Sequence, residues 1–580
     1  MSLSNYDFNP ITPVAGDALR GWEAICAALP RRASGRIVVE LYPGADKAEV
    51  IEALTAGLRP DRIIDVETFF RPPEAIDAML SPYLGDDPVF GKLNRVEIAD
   101  FLDPHRLVIA QAQAALPGLS LVVGAGASIV CPDADQVIYV NMARWPLQLR
   151  FRQGKAFNLG TQARRDNPAA LYKRAFFVDW RSADRLKTQL MPRIDWMIDG
   201  NEAMQPRMVS GVDYRAALNS IARRPFRVRP FFDPGPWGGQ WMRQTFGLPE
   251  SPTNYAWCFD CVPEENSLLL GIGDQVFEAP AIDAVLIEPE HLLGEDIVSR
   301  FGAEFPIRFD LLDTMGGGNL SLQVHPRTAY MRDKFGVTYT QDESYYVLAA
   351  ASDATVYLGL KSGIDREAMA ADLRTAQLPG GAPFPAEIYI NQWPVRTHDH
   401  LLIPGGTIHC SGAGIVVLEI SATPYIYTFK LWDWGRLGLD GKPRPIHIDH
   451  GLANIAWERD TEWTRRELVN AVAPVADGKG WREERTGLHA LQFIETRRHW
   501  FDAAVAHDTG GTVNVLNLVS GEACLIESPD EEYPPFIVHY AETFIVPAAV
   551  GAYIVSPLGR GPHVTLKAFV REALDIPAEK

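Results

Sequence analysis

The chain has 580 residues, of which 47% are hydrophobic and 22% charged, and its formal net charge is −18. A chain of this length exceeds one ordinary hydrophobic core, so a soluble protein of about three or four domains is expected. The acidic balance argues against a broad nucleic-acid surface, because phosphate backbones are held mainly by Lys and Arg, and no apolar run is long enough to span a bilayer.

The first ten residues lack a basic start followed by an apolar segment, which predicts a cytoplasmic protein. The six cysteines are thinly spread, as expected for reduced thiols rather than a disulfide framework. Cys258 and Cys261 form one Cys-x-x-Cys pair, but a strand would turn the two thiols to opposite faces. They are therefore interpreted as structural.

Residues 1–210 alternate strand-like and helical segments. The strand patterns lie at residues 36–41, 119–124 and 136–140, and a helical pattern covers residues 47–54. Such alternation predicts an α/β domain with parallel strands.

The turn before Lys47 has the strand, turn, Lys, helix order of a phosphate-binding loop. However, Leu41 and Asp46 stand where the two glycines belong, and Ala48 replaces the Ser or Thr that would meet magnesium. The region resembles the nucleoside-kinase branch of P-loop proteins, which implies a three-layer α/β fold. A lid-like basic stretch follows, with Arg150, Arg152, Arg164 and Arg165. The carboxylate of Asp46 would repel a triphosphate, so a degenerate, pseudokinase-like or structural domain is favoured over an active kinase. The basic residues are equally well explained as a solvated face.

From about residue 225, short strands with frequent Gly and Pro predict barrels or sandwiches. One small helical insert at residues 365–374 follows a capping Asp365 and is expected to cover one end of a barrel. The interpretation is a multidomain chain in which two β-barrel domains follow the α/β domain. A metal-binding barrel is predicted over residues 211–455, and a barrel without metal ligands over residues 456–580.

Four side chains form the strongest candidate metal site. Gln323 and His325 lie two residues apart in a strand-like run, so they point to the same face. Glu343 begins a second such run, and antiparallel pairing with the first would bring it beside them. His409 follows a turn that starts at Pro404. Two imidazoles with two oxygen ligands suit one divalent ion, zinc being the best fit, while iron, manganese and cobalt stay open. For each residue alone, a packed core position is the alternative interpretation.

Several short motifs occur in order along residues 226–456. They are Pro-Trp-Gly-Gly at 236–239, Asn-Leu-Ser-Leu-Gln-Val-His-Pro at 319–326, Gln-Asp-Glu-Ser-Tyr-Tyr-Val-Leu at 341–348, Ile-Pro-Gly-Gly-Thr-Ile-His at 403–409 and Trp-Asp-Trp-Gly-Arg at 432–436. Together they resemble class I mannose-6-phosphate isomerases, which are metal-dependent cupin enzymes, and the similarity continues more faintly to residue 580. The resemblance implies that the two barrels are of the cupin or jelly-roll type. It also implies a sugar-phosphate substrate and the metal ligands Gln323, His325, Glu343 and His409.

Two positions depart from the family pattern. Asp310 stands where the family usually has Lys, and Arg308, on the same face of the strand, is expected to replace the lost positive charge and bind substrate. Lys430 stands where Arg is common, and Lys offers a phosphate a point charge instead of a two-bond fork. The substrate is therefore mannose 6-phosphate or a related sugar phosphate.

Isomerisation of an aldose to a ketose needs acid–base catalysis at carbon and stabilisation of negative charge. Arg436 and Lys430 are predicted as catalytic cations and Glu419 as the acid or base, while Trp237 is predicted to line the sugar site. The alternatives are structural: Glu419 would orient a ligand His, Arg436 would pair with a nearby carboxylate such as Asp433, and Trp237 would pack at a tight turn.

The leading hypothesis is a metal-dependent sugar-phosphate isomerase with an accessory α/β domain. A metal-bound sugar-phosphate sensor or scaffold is the non-enzymatic alternative, which Asp310 and Lys430 favour. A third hypothesis is a fusion that phosphorylates a sugar and isomerises the product. The sequence leaves open the sugar, the native ion and assembly into a homo-oligomer.

Overall fold

The computed structural model describes residues 5–30, 32–161, 167–250, 253–487 and 489–571. Arg164 and Arg165 of the predicted basic stretch lie outside the described residues. The chain divides into two compact units. We call residues 10–222 with 263–288 the α/β unit, and residues 1–9 with 223–262 and 289–580 the β unit. In the described part of the chain, no helix has both the length and the apolar character that a membrane span requires.

The α/β unit is built on a seven-stranded sheet and a three-stranded sheet. Elements are numbered along the chain, and the seven strands in order across the large sheet are β2 (Ala18–Arg20), β8 (Arg207–Ser210), β7 (Trp196–Asp199), β6 (Gln136–Asn141), β3 (Gly35–Leu41), β5 (Leu119–Gly124) and β4 (Arg62–Asp65). The small sheet has β1 (Ile11–Val14), β11 (Ser267–Ile272) and β12 (Gln275–Pro280). The helices are α1 (Trp22–Ala28), α2 (Lys47–Leu58), α3 (Pro73–Leu84), α4 (Ile98–Phe101), α5 (Pro104–Ala114), α6 (Ala127–Val130), α7 (Arg144–Arg152), α8 (Pro168–Arg174), α9 (Trp180–Leu190), α10 (Gly211–Ile221) and α12 (Ile282–Ile287).

The predicted parallel strands are confirmed. Strand β3 pairs in parallel with β5 and β6, and β4 and β7 extend the parallel set. Apolar side chains of one sheet face pack against α1 and α2, through Ile25, Val50 and Leu54. On the other face, Glu40 of β3 accepts a hydrogen bond from the backbone N–H of Ser128 in α6. Helices thus cover both faces of the sheet, as in α/β proteins generally.

The limits of this unit differ from the predicted boundary at residue 210. Helix α10 belongs to the unit, and the chain returns to it over residues 263–288. The return is fixed by parallel pairing of β11 with β1, in which Leu269 lies opposite Ile11. Pairing over so long a sequence separation leaves no local signal, so a division of the sequence into consecutive segments misses it.

The β unit contains two pairs of sheets. In the first sheet pair, the six-stranded sheet has β18 (His400–Ile403), β15 (Glu343–Ala350), β20 (Ile415–Ala422), β13 (Ile307–Asp313), β10 (Trp257–Cys261) and β9 (Phe231–Asp233), and the five-stranded sheet has β17 (Ile390–Pro394), β16 (Thr355–Leu360), β19 (His409–Ser411), β14 (Leu322–Val324) and β21 (Phe429–Trp432). In the second sheet pair, the six-stranded sheet has β22 (Ala473–Gly478), β23 (Trp481–Gly487), β24 (Ile494–Phe501), β31 (His563–Val570), β26 (Asn514–Ser520) and β29 (Thr543–Val546), and the four-stranded sheet has β25 (Val505–Asp508), β30 (Ala552–Leu558), β27 (Ala523–Glu527) and β28 (Phe536–His539). The helices are α11 (Trp241–Phe246), α13 (Pro289–Leu293), α14 (Glu295–Phe301), α15 (Thr328–Phe335), α16 (Arg366–Thr375), α17 (Ala386–Tyr389), α18 (Ile448–Asn454) and α19 (Thr461–Glu467).

The second sheet pair encloses a buried apolar core between its two sheets. In the second pair, Leu516 and Val546 of one sheet pack with Cys524 and Val555 of the other in one buried cluster. The predicted division at residue 455 falls between β21 and β22, the last strand of the first pair and the first strand of the second.

The predicted helical insert is confirmed as α16. The carboxylate of Asp365 caps its first turn by accepting from the backbone N–H groups of Glu367 and Ala368. Met369 and Leu373, four residues apart, form its buried face.

Candidate metal centre

One row of side chains crosses the five-stranded sheet of the first sheet pair. Gln323 on β14 lies opposite His409 of β19 on one side and opposite Lys430 of β21 on the other. Side chains of residues that face each other in neighbouring strands project from the same side of a sheet. His325 directly follows β14 and shares the face of Gln323, as the spacing predicts.

Glu343 reaches the same place from the other sheet. The prediction that its strand pairs with the strand of Gln323 is wrong, because β15 pairs with β18 and β20 in the six-stranded sheet. The two sheets face each other, and the carboxylate of Glu343 bridges the gap between them. The spacing of residues along the chain does not show whether two strands pair in one sheet or lie in two sheets that face each other.

The structure brings all four predicted ligands together. Nε2 of His325 lies 2.9 Å from Oε2 of Glu343, and Nε2 of His409 lies 2.8 Å from Oε1 of the same carboxylate. One ligand atom from each of these three residues lies within 4.8 Å of the others. Nε2 of Gln323 lies 3.2 Å from Nε2 of His409, and a half-turn of the amide would bring its oxygen there instead.

Hydrogen bonds on the far side of each ring orient the imidazoles. Nδ1 of His409 lies 2.9 Å from the carbonyl oxygen of Thr407, and Nδ1 of His325 lies 3.5 Å from that of Tyr427. A carbonyl only accepts, so Nδ1 carries a hydrogen in both rings, and in the neutral form of each ring the lone pair of Nε2 faces Glu343. This is the tautomer that a metal-binding histidine uses.

The facing atoms fit a cation between them. Nε2 of His325 and Oε1 of Glu343 are buried and have no hydrogen-bond partner among the described residues. Burial alone would raise the pKa of Glu343, but when the two imidazoles are protonated their positive charge lowers it well below its usual range. Facing lone pairs repel unless a positive charge separates them. Two imidazoles, a carboxylate and an amide are suitable ligands for a divalent ion of zinc's character.

Gln341 is a site residue that the sequence predictions omitted. Its Nε2 donates to Oε2 of Glu343 at 3.2 Å and approaches Oε1 of Glu419 at 3.4 Å. The available signal was its position two residues before Glu343, since residues two apart in an extended segment share a face.

Glu419 belongs to a buried group of charges beside the centre. It lies opposite Asp310 in the pairing of β20 with β13. Burial is the main cause that raises the pKa of Asp310 to about 7, and burial with the charge of Asp310 raises the pKa of Glu419 well above its usual range. The predicted shared face of Arg308 and Asp310 is confirmed, with Nη2 of Arg308 3.5 Å from Oδ1 of Asp310. The guanidinium also lies 4.2 Å from the ring centre of Tyr425.

Lys430 is the basic side chain in the row with Gln323. Burial and then the charge of Arg444 lower the pKa of Lys430 to about 8, although Asp433 acts in the opposite direction. Within the described residues its ammonium makes no hydrogen bond or ion pair. It is therefore available to a molecule that enters the site.

Arg436 and Trp237 have protein contacts that match their structural alternatives. Nε and Nη2 of Arg436 donate to Oδ1 of Asp433 at 3.1 and 2.7 Å. Trp237 is 2% exposed, and its ring packs against Trp257 with centres 5.2 Å apart. The side chain of Arg436 is 18% exposed, so its pairing with Asp433 lies near the surface.

Comparison with known proteins gives two separate similarities. A family model described as "Domain of unknown function (DUF8485)" matches residues 21–223. A mannose-6-phosphate isomerase of Streptococcus mutans is 27% identical over 218 residues, which are 37% of this chain and 63% of that protein. The chain thus spans less than two thirds of that relative's length. A mannose-6-phosphate isomerase of Bacillus subtilis is 24% identical over 234 residues, 40% of this chain and 68% of that protein.

Part of the chain is similar in sequence to mannose-6-phosphate isomerases. Among solved structures, the crystal structure of mannose 6-phosphate isomerase from Bacillus subtilis aligns with a TM-score of 0.48 at 16% identity. That alignment covers 60% of this chain and 99% of the other.

Proposed function

We propose that this chain is a metal-dependent aldose–ketose isomerase that acts on a sugar phosphate, mannose 6-phosphate or a close relative. The observation that supports it most is the convergence of His325, Glu343 and His409, from two facing sheets, with their metal-binding atoms aimed at one point. Sequence similarity to mannose-6-phosphate isomerases over part of the chain supports the reaction and the substrate class.

Gln323, His325, Glu343 and His409 would hold one divalent ion, for which zinc is the best fit to the ligand set. When bound, the ion would act as a Lewis acid toward oxygen atoms of the substrate. The proposed barrel of the cupin type would enclose the site, and the two facing sheets support that interpretation.

The protein's own groups would perform the proton transfer. Glu419 is proposed to move the proton between C1 and C2, because its carboxyl is buried, lies beside the centre and is linked to Glu343 through Gln341. Lys430 is proposed as the catalytic cation in preference to Arg436, since Arg436 is held by Asp433. Arg308 remains the proposed contact for the negative charge of the substrate.

The experiment is metal analysis of the purified full chain, followed by isomerase assays on a panel of aldose phosphates with and without chelator. We expect one divalent ion per chain, turnover of mannose 6-phosphate or a related sugar, and loss of turnover on chelation. His409→Ala should lose both ion and activity, whereas His400→Phe, a buried histidine of β18, should keep both. Full turnover after complete metal removal would contradict the proposal.

A metal-bound sugar-phosphate sensor is the second candidate function. It is favoured by Asp310, whose buried carboxylate lies 3.5 Å from Arg308 and, when ionised, would take up the positive charge that an anionic substrate needs. A metal-loaded chain that binds sugar phosphates but converts none of them would support the sensor instead of the enzyme.

A further inference from the structure

A second polar cluster lies inside the second sheet pair, away from the metal centre. His499 of β24 lies opposite Thr565 of β31, and the neighbouring row sets Arg497 opposite Lys567. These side chains share the inner face of the sheet with Phe501, which belongs to the buried apolar core between the two sheets. The space between the two sheets of this pair is therefore lined by apolar side chains in one part and by polar side chains in the other.

The cluster is completed from the facing sheet. His507 of β25 approaches His499 with ring centres 4.5 Å apart, and it stacks on Tyr553 at 5.1 Å. His499 is 2% exposed and His507 8% exposed. Nε2 of His499 lies 3.1 Å from Oε1 of Glu483, so that side of the ring is occupied.

Several polar atoms of the cluster have no protein partner. Nδ1 of His499, Nε2 of His507 and Oγ1 of Thr565 are buried and make no hydrogen bond to any described residue. Lys567 is 8% exposed, and its ammonium has no hydrogen bond or ion pair with the described residues. The ammonium lies 5.5 Å from the centre of the Phe569 ring. Buried polar groups are nearly always satisfied by protein, water or ligand, so this group of four requires a partner.

The charges around the cluster indicate whether its partner is an anion or a cation. The neighbouring carboxylates Glu483 and Glu495 are already bound by Arg497, at 3.0 and 2.6 Å. Lys567 is thus the cation of the cluster whose charge is not matched by a contacting carboxylate. Burial lowers the pKa of His507, and the charges of His499 and Lys567 lower it further. The charges of Glu483, Glu495 and Asp508 act on Lys567, but none of these carboxylates contacts its ammonium. No set of three metal-binding groups occurs here among the described residues.

We propose that the second sheet pair binds a small oxyanion, a phosphate or carboxylate group, between Lys567, Thr565, His499 and His507. Lys567 and Thr565 would donate hydrogen bonds to its oxygens, and Nε2–H of His507 would donate from the facing sheet. His499, whose Nε2–H is directed to Glu483, would donate through Nδ1 when its ring is protonated. This site shares no residue with the metal centre and does not depend on the proposed isomerase activity.

The test is a titration of the full chain with sodium phosphate and, separately, sodium acetate at constant pH and ionic strength, with sodium chloride as the reference. The melting temperature and calorimetric binding are both followed. We expect one of the two anions to stabilise the wild-type chain. Lys567→Met and Thr565→Val should each weaken that binding about tenfold or more, the loss of one charge-assisted or buried hydrogen bond.

Matched variants keep the test specific. Lys479→Met removes an exposed lysine of the same sheet pair and should leave the response unchanged. Each variant is compared with its own melting temperature in chloride, so a change in basal stability does not affect the result. If Lys567→Met does not fold, Thr565→Val carries the test.

Crystals soaked in selenate give an independent readout. Anomalous density between Lys567 and the two histidines would support the site, and a response to phosphate alone or to acetate alone would identify its chemistry. An equal response in wild type and both variants, no response to either anion, or only ordered water between His499 and His507 would overturn the proposal.

Discussion

At the scale of single residues, the metal centre depends on where lone pairs are directed. The carbonyl of Thr407 fixes one imidazole, and the amide of Gln341 fixes the carboxylate that both imidazoles face. Such outer contacts lower the freedom of the ligands and commonly change metal affinity by about 10- to 100-fold.

Gln341→Ala should therefore weaken metal binding by about 10- to 100-fold without unfolding the chain. The measurement is a competition titration of the apo protein with a zinc chelator dye. Gln377→Ala, at an exposed position, is the control. Unchanged affinity in Gln341→Ala would show that its hydrogen bonds do not position Glu343.

Lys430→Met should lower kcat by about 100- to 10,000-fold while metal content stays near one ion per chain, because a catalytic cation acts on the reacting sugar and not on the ion. Steady-state kinetics and metal analysis measure the two effects. Lys442→Met, at an exposed position, is the matched control. Activity within about twofold of wild type would exclude Lys430 from catalysis.

His400 gives a pH dependence with a defined sign. Burial lowers its pKa to about 3, whereas an unfolded histidine titrates near 6.5, so the unfolded chain takes up the proton first as the pH falls. Titration of His400 therefore leaves the free energy of unfolding unchanged above about pH 6.5 and lowers it by roughly 2 kcal/mol at pH 5.

His400→Phe should consequently be as stable as wild type or more stable at pH 7, because neither ring nitrogen has a hydrogen-bond partner among the described residues. Between pH 7 and pH 5 its melting temperature should fall less than that of wild type. Parallel pH profiles of the two proteins would contradict this account.

At the scale of elements, the sequence predicted the strands that carry the candidate ligands but not how those strands pair. Alternation placed Gln323 and His325 on one face, and a capping Asp365 located α16. Alternation could not assign Glu343 to the facing sheet, because its strand has the same local pattern whether it lies in the sheet of Gln323 or in the opposite one. Buried ion pairs between distant segments were equally invisible, since nothing near Arg227 in the chain indicates its partners.

Arg227 joins the two sheet pairs of the β unit. Its guanidinium lies 3.4 Å from Asp260 of β10 and 2.8 Å from Glu542, next to β29. Arg227→Ala would leave two buried carboxylates without their cation and should destabilise the β unit by about 3–5 kcal/mol. Urea unfolding measures the loss.

The control is Arg243→Ala, whose partner Glu250 has a side chain 89% exposed. Exposed pairs contribute little, so a change under about 1 kcal/mol is expected. Similar losses in Arg227→Ala and Arg243→Ala would show that the buried network does not hold the sheet pairs together.

At the scale of the whole molecule, the two units raise separate functional questions. The α/β unit has the parallel strands expected near Lys47, but Nζ of Lys47 lies 2.9 Å from Asp65 and 2.8 Å from Glu67. These two carboxylates already neutralise the positive charge of Lys47, which would have to bind the phosphates of a nucleoside triphosphate.

We therefore expect no shift in melting temperature of the full chain on addition of ATP with magnesium, relative to magnesium alone. Lys47→Ala should behave in the same way. A shift of several degrees in wild type that Lys47→Ala abolishes would restore the kinase-fusion hypothesis.

The most direct measurement is stepwise return of zinc to the metal-free full chain, with isomerase turnover recorded at each step. If Gln323, His325, Glu343 and His409 hold the ion that the reaction needs, activity should rise linearly and stop rising at one equivalent. Turnover that is already complete without metal, or absent at full loading on every sugar phosphate tried, would contradict the account.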